Sequence, residues 1–349
     1  MKKLIMIAVI MQLIPGIANC MQPRYDDTEQ KYTWNNGQVT CTFRDTNNPR
    51  NFCNLVTAVR RIAVTDGRPG STENVVDLIG ARVWIPRSVT AAARKPGRDA
   101  LKYINHAQTR EIVFELGSIL TKLKRFSMQD TCMETLLLPD AVKGLGSECF
   151  SGNRRLWHFP LGSGSRLVKL GNGAFGGCST LRYAKIPGSV EILEIGCFRG
   201  CRSLETVTFD PDCRATELGN CFFERCSALR GVKLPRKIEK IGARCFGDCE
   251  SMEYCDFGEG SATRYIAMRT YEGCRSLTSI RIPAPVKNVG MNNFDGCSQL
   301  IFVQFEAGSR LERIDSGTFA PGTEFEGLPD GRWDDVGYGL RWTRTDAEV

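Results

Sequence analysis

Ile195-Gly196-Cys197-Phe198-Arg199-Gly200-Cys201-Arg202-Ser203-Leu204 is followed by Val207 and Phe209, and the same pattern returns along the chain. Phe198 is one of eight aromatic residues in a single column: Phe150, Phe175, Phe198, Phe223, Phe246, Tyr271, Phe294 and Phe319. Their gaps run 25, 23, 25, 23, 25, 23 and 25. A period in the twenties is the mark of a solenoid, in which each coil buries its apolar face only against the coils above and below.

Counting from the aromatic as position 0, further columns are apolar. Position +6 holds Leu156, Leu181, Leu204, Leu229, Met252, Leu277 and Leu300. Positions +9 and +11, as in Val207 and Phe209 or Ile280 and Ile282, have the period of two of a strand. Position −5 is apolar from Leu145 to Ile314. Each coil therefore reads as one short parallel strand followed by turns or short helical turns, the architecture of a leucine-rich-repeat solenoid. Pro139, Pro187, Pro235 and Pro283 recur every 48 residues, each after the apolar end of a strand. A residue without a backbone donor leaves a ladder there, so the unit is a pair of coils.

Earlier coils are degraded. Ile112 and Phe114 stand at +9 and +11 from Tyr103, and Phe126 precedes Phe150 by 24, which reads as the aromatic column shifted by one residue. Trp84-Ile85-Pro86 reads as a strand end, with an insertion around Lys95-Pro96-Gly97. The solenoid is placed at residues 78–325. Its nine or ten coils make a rod on the order of 45 Å long.

Residues 1–20 read as a signal peptide: Lys2 and Lys3, an apolar run from Leu4 to Ile14, Pro15 and Gly16, then small residues. That run is too short to span a bilayer, and no later stretch is apolar enough to be a transmembrane segment. Ile17-Ala18-Asn19-Cys20 offers a second reading, a lipid anchor on Cys20, with Asn19 a poor fit. Residues 21–77 do not match the repeat and read as an N-terminal leader and cap, where Cys41 and Cys53 suit a disulfide in an exported chain. Residues 326–349, with Trp333, Tyr338 and Trp342, read as a C-terminal cap.

Sixteen cysteines in an exported chain first suggest a disulfide scaffold. Their placement argues for core instead. Cys178, Cys201, Cys226, Cys249, Cys274 and Cys297 share position +3, and Cys149, Cys197 and Cys245 share position −1. Such columns ask for a small buried side chain, and cysteine behaves as one. Cys197-x3-Cys201 and Cys245-x3-Cys249 lack the spacing of zinc knuckles and have no histidine beside them, so no metal and no cofactor is expected.

Coil text such as Tyr271-Glu272-Gly273-Cys274-Arg275-Ser276-Leu277-Thr278-Ser279-Ile280-Arg281-Ile282-Pro283 resembles the BspA-type (Treponema-like) leucine-rich repeat. Its aromatic-x-Gly-Cys-x-x-Leu core is matched by the coils of Cys178, Cys201, Cys274 and Cys297. The coil of Cys249 matches more loosely, with Gly247 and Asp248 transposed, and Cys226 follows Arg225, so that coil lacks the glycine. The resemblance covers residues 83–325 and implies a secreted or cell-surface protein that binds other proteins, often as an adhesin. It carries no catalytic residues. The chain departs from the usual leucine-rich repeat in having no asparagine ladder, and from the family in its arginine content.

Positions +7, +8 and +10 of each coil point away from the core. They collect Trp157, Arg182, Tyr183, Lys185, Arg230, Lys233, Tyr254, Arg281 and Phe302, the candidate partner-binding residues. Aromatics and arginine are the usual anchors of protein interfaces; ordinary exposed strands also carry aromatics and charges. The formal charge of +7 falls to +5 without Lys2 and Lys3, a balance that suits acidic glycans or acidic proteins. No basic run interleaved with aromatics points to nucleic acid. The chain has two histidines, His106 in the cysteine column and His158 on the exposed face, and no Gly-x-Ser-x-Gly, P-loop or His-Glu-x-x-His motif. The expectation is a non-enzymatic binding module whose partner is a host, matrix or surface protein. A secreted effector acting on a host protein and a passive envelope spacer are the alternatives.

Overall fold

Repeated apolar columns can all be buried at once only if the coils stack in register, and they do. The computed structural model describes strands between residues 24 and 114, most of 117–159, and residues 165–335 and 340–344. Residues 1–20 with Cys20, His106, and the side chains of Cys41 and Cys53 lie outside the described residues.

The expected strand is present in coil after coil. His158–Phe159, Tyr183–Ile186, Thr206–Phe209, Gly231–Lys233 and Tyr254–Asp256 form one parallel run, and Ser279–Ile282, Phe302–Phe305 and Glu324–Glu326 a second. Burial alternates along them: Ala184 and Ile186 point inward, Tyr183 and Lys185 outward. Each coil also holds a second strand of two residues, which the apolar column at −5 did not by itself distinguish from a turn. Gly144–Leu145, Lys169–Leu170 and Ile192–Leu193 pair in parallel, as do Glu217–Leu218, Lys240–Ile241, Tyr265–Ile266, Asn288–Val289 and Arg313–Ile314.

The third side of the coil is a ladder without strands. Gly173, Phe175 and Gly177 donate backbone N–H groups to the carbonyls of Ile195, Cys197 and Arg199 at 2.8–2.9 Å, one coil on. Positions −2 and +2 of this ladder are left-handed, which explains glycine there. Where glycine is absent the backbone keeps the conformation: φ is +62° at Arg225, +57° at Asp248 and +53° at Arg244. Pro321, at +2 after Phe319, has neither a donor nor access to that region, and the ladder stops there.

The aromatic column is a continuous stack. Successive ring centroids from Phe150 to Phe319 are 5.1–5.7 Å apart with interplanar angles of 2–17°. The registers Lys122↔Gly144 and Leu123↔Leu145 correct the expectation for the coil before it. Met128, fully buried, takes the aromatic position and donates its N–H to Cys149. That coil is two residues shorter than a sequence count from Phe126 allows, and an unbranched thioether fills the altered gap.

The +3 thiols have a task beyond filling space. Cys178, Cys201, Cys226, Cys249, Cys274 and Cys297 each donate S–H to the carbonyl of the aromatic residue one coil back, at 3.0–3.2 Å. Asn153, in the same column, does this with Nδ2, bonding the Met128 carbonyl at 2.8 Å. A weak donor is enough because that carbonyl already accepts a backbone N–H, as Phe175 does from Cys178. All thirteen cysteines whose side chains are described are free. Burial raises the Cys178 and Cys255 thiols to about 12, so both stay protonated, Cys178 as a donor to the Phe150 carbonyl and Cys255 as the acceptor of the Tyr271 hydroxyl.

An antiparallel hairpin, Gly331–Asp335 with Leu340–Arg344, lies on the last two-residue strand through Ile314↔Trp342. It buries Trp342 to 1% exposure. Upstream, Arg24–Asp26, Lys31–Asn35 and Thr40–Arg44 pair antiparallel, a pattern foreign to the coils.

Candidate partner-binding face

The longer ladder sets the face. Register stacks His158, Tyr183 and Thr206, then Gly231 with Tyr254, and Ser279 with Phe302. Position +7 stacks through backbone bonds from Arg182 to Trp157 and from Glu205 to Arg182. Trp157, Tyr183 and Tyr254 are 46%, 44% and 53% exposed, large for aromatic side chains on one surface. The Tyr254 ring occupies the space where a Cβ on Gly231 would stand, 2.3–2.6 Å from the nearest ring carbons. Any side chain at Gly231 would displace that tyrosine. Trp157 stacks on His158 at 5.3 Å with an angle of 26°.

Two of the candidates differ from the simple picture of a free basic strip. Phe302 is half-buried, and the exposed apolar residue of that coil is its neighbour Ile301, at 67%. Three cations lean on acids of the following coil: Arg182 on Glu205 at 3.3 Å, Lys233 on Asp256 at 3.6 Å and Arg281 on Glu306 at 3.2 Å. Lys185 and Arg230 form no ion pair among the described residues. Acids one coil away, in the same column for Arg182 and Lys233 and two positions on for Arg281, were visible as letters in the sequence. Their pairing needed the register.

A second cluster of charges lies on the turn side. Glu224, with a side chain only 4% exposed, sits between Arg199, 2.6 Å away, and Arg244, 3.1 Å away. Arg244 continues to Glu272 at 3.1 Å, and Arg269 joins Glu272 at 3.4 Å. The carboxylates use side-chain positions +1 and the arginines −2 and +1, so the network ties coils together along the rod. Among the described residues, no three His, Cys, Asp or Glu side chains converge as metal ligands, and no helix is long and apolar enough to cross a membrane.

The repeat text and the fold agree with what comparison shows. The family model for the BspA-type leucine-rich repeat region matches in six copies, over residues 105–230 and 216–326. No curated protein matches. Solved structures with a similar chain path include the pneumococcal vaccine antigen PcpA, at 16% identity over 86% of this chain and 89% of that one, with a TM-score of 0.48. A leucine-rich repeat protein of Bacteroides ovatus is 17% identical over 87% and 97%, with a TM-score of 0.44. A leucine-rich cell surface protein of Faecalibacterium prausnitzii is 16% identical over 80% and 95%, with a TM-score of 0.36. With the family model covering well over half of its residues, this chain belongs to the BspA-type leucine-rich-repeat family.

Proposed function

We propose that this chain is a non-enzymatic, secreted or surface-exposed protein that binds protein partners through the outward face of its longer strand ladder. The observation that carries the reading is the aromatic exposure of that face: Trp157, Tyr183 and Tyr254 stand out of it on rigid, register-locked strands. Rigid presentation lowers the ordering cost of binding, and desolvated aromatics and arginines supply most interface energy. Arg182, Lys185, Arg230, Lys233 and Arg281 surround the aromatics and set orientation and partner choice, with Phe302 at the far end. Export by the leader over residues 1–20, removed on maturation or anchored through Cys20, belongs to this reading, as do caps over 21–77 and 326–349.

The test is capture from mixtures of matrix and host-surface proteins by residues 21–349. A variant carrying Lys185→Glu, Lys233→Glu and Arg281→Glu runs beside it. A partner retained by the parent and lost by the folded variant supports the face. Equal retention removes the cations from the argument, and retention of nothing by either protein favours a spacer.

A further inference from the structure

Just outside the strand face, positions +4 and +5 form a corner of the rod with an uneven charge pattern. From the coil of Phe150 to that of Phe223 they read Arg154 and Arg155, Ser179 and Thr180, Arg202 and Ser203, Ser227 and Ala228. The positions stack: Thr180 Oγ1 donates to the Arg154 carbonyl at 2.9 Å, Ser203 N to Ser179 at 3.2 Å and Ala228 N to Arg202 at 3.1 Å. Arg154, Arg155 and Arg202 are exposed, and none forms an ion pair among the described residues. Further along the same corner the pattern changes, because Glu250 enters at +4 and Arg275 lies 3.9 Å from it. Nearly all arginines of the turn side are likewise matched, as Arg199 is by Glu224 and Arg225 by Asp248. The first half of this corner therefore keeps three guanidinium groups with only small neutral neighbours in their own columns.

We infer that this corner binds an acidic polysaccharide laid along the rod. Arg154 and Arg202 occupy one column two coils apart. Ring stacking puts successive coils 5.3 and 5.2 Å apart there, so the two arginines recur at roughly 10 Å along the axis. An extended polysaccharide that carries one acidic group per disaccharide repeats over a comparable distance. Guanidinium groups match carboxylate and sulfate in a fork geometry. Trp157 follows Arg155 by two residues, and with His158 it offers a flat, half-exposed aromatic platform beside the arginines. Sugar rings present flat C–H faces to such a platform, whereas acidic peptide side chains do not. This favours polysaccharide over an acidic protein segment. The inference rests on the proposed function in placing the chain outside the cell and shares Trp157 with the protein-binding face, but the three arginines that the test changes are not among the residues assigned to that face.

The experiment uses residues 21–349 on immobilised heparin, a sulfated chain, and on hyaluronan, which carries carboxylates alone, with polyglutamate as the peptide probe. One variant carries Arg154→Ser, Arg155→Ser and Arg202→Ser. A control carries Lys240→Ser, Arg275→Ser and Lys287→Ser, an equal loss of charge from cations already paired with Glu217, Glu250 and Glu312. The expected result is retention on at least one polysaccharide, lowered at least tenfold in affinity in the first variant and less than threefold in the control. The slope of log affinity against log salt should fall by roughly 2 for the first variant. Equal losses in both variants, no retention on either sugar, or polyglutamate held as tightly as the sugars overturns the inference. Protein capture by the strand face is unaffected by any of these outcomes, so the two readings fail separately.

Discussion

Arg225 stands where most neighbouring coils have glycine, with φ at +62°. A residue with a Cβ pays roughly 1–2 kcal/mol for that conformation. Glycine enters it freely but gives up more chain entropy on folding, which leaves a net gain of about 1 kcal/mol. The side chain does one thing in return. Its Nε lies 3.7 Å from Asp248, with the two side chains 57% and 41% exposed, and an exposed pair of this kind contributes about 0–1 kcal/mol. Comparing Arg225→Gly with Arg225→Ala removes the ion pair from both and leaves the backbone term. Arg225→Gly should be the more stable by about 1 kcal/mol. Urea denaturation followed by circular dichroism reads this as a midpoint shift of a few tenths of a molar. Ser227, whose φ is not positive, supplies the control: there glycine should be the less stable by roughly 0.5–1 kcal/mol. If Arg225→Gly is no more stable than Arg225→Ala, the left-handed ladder does not govern residue choice at +2.

Four more outcomes are expected. Tyr271 donates its hydroxyl to Cys255 Sγ at 3.3 Å inside the core. Cys255→Val alone should cost about 1–3 kcal/mol by stranding that hydroxyl, and adding Tyr271→Phe should recover part of the loss in a double-mutant cycle. Glu224→Gln removes the charge shared by Arg199 and Arg244 and should destabilise by roughly 1.5–3 kcal/mol in the same denaturation assay, with a wild-type result showing the buried pair to be replaceable. Burial raises Cys178 to about 12 from 9.0, so the folded state keeps a proton that the unfolded chain releases first. Stability from this group is full below pH 9 and is lost as pH rises from there toward 12. The urea midpoint should therefore fall above pH 9, and less steeply in Cys178→Ala. In the native protein, thiol alkylation should reach the partly exposed Cys132 and Cys221 before any buried thiol among the described residues.

The solenoid was legible because a coil that buries its side chains against copies of itself must repeat its apolar letters. Phe198, Leu204, Val207 and Phe209 each announce a column, and the 48-residue proline period announces the paired unit. The candidate face was legible to the same degree, since Tyr183 and Lys185 alternate with Ala184 and Ile186. Pairing between coils was not. Whether Lys233 is a free cation or the partner of Asp256 depends on a contact 23 residues away that no local pattern encodes. The same holds for Met128 in the aromatic column, where a shortened coil moved the register away from Phe126.

Sequence alone determined the period, the buried columns and the direction in which each strand residue points, because those follow from local alternation and repetition. Tertiary structure decided the second strand of each coil, the left-handed ladder on the turn side, and the thiol bonds to the carbonyls one coil back. Those features are hydrogen bonds and ion pairs between stacked coils. They exist only when the coils are brought to about 5 Å from one another, and their geometry belongs to the stack rather than to any single repeat.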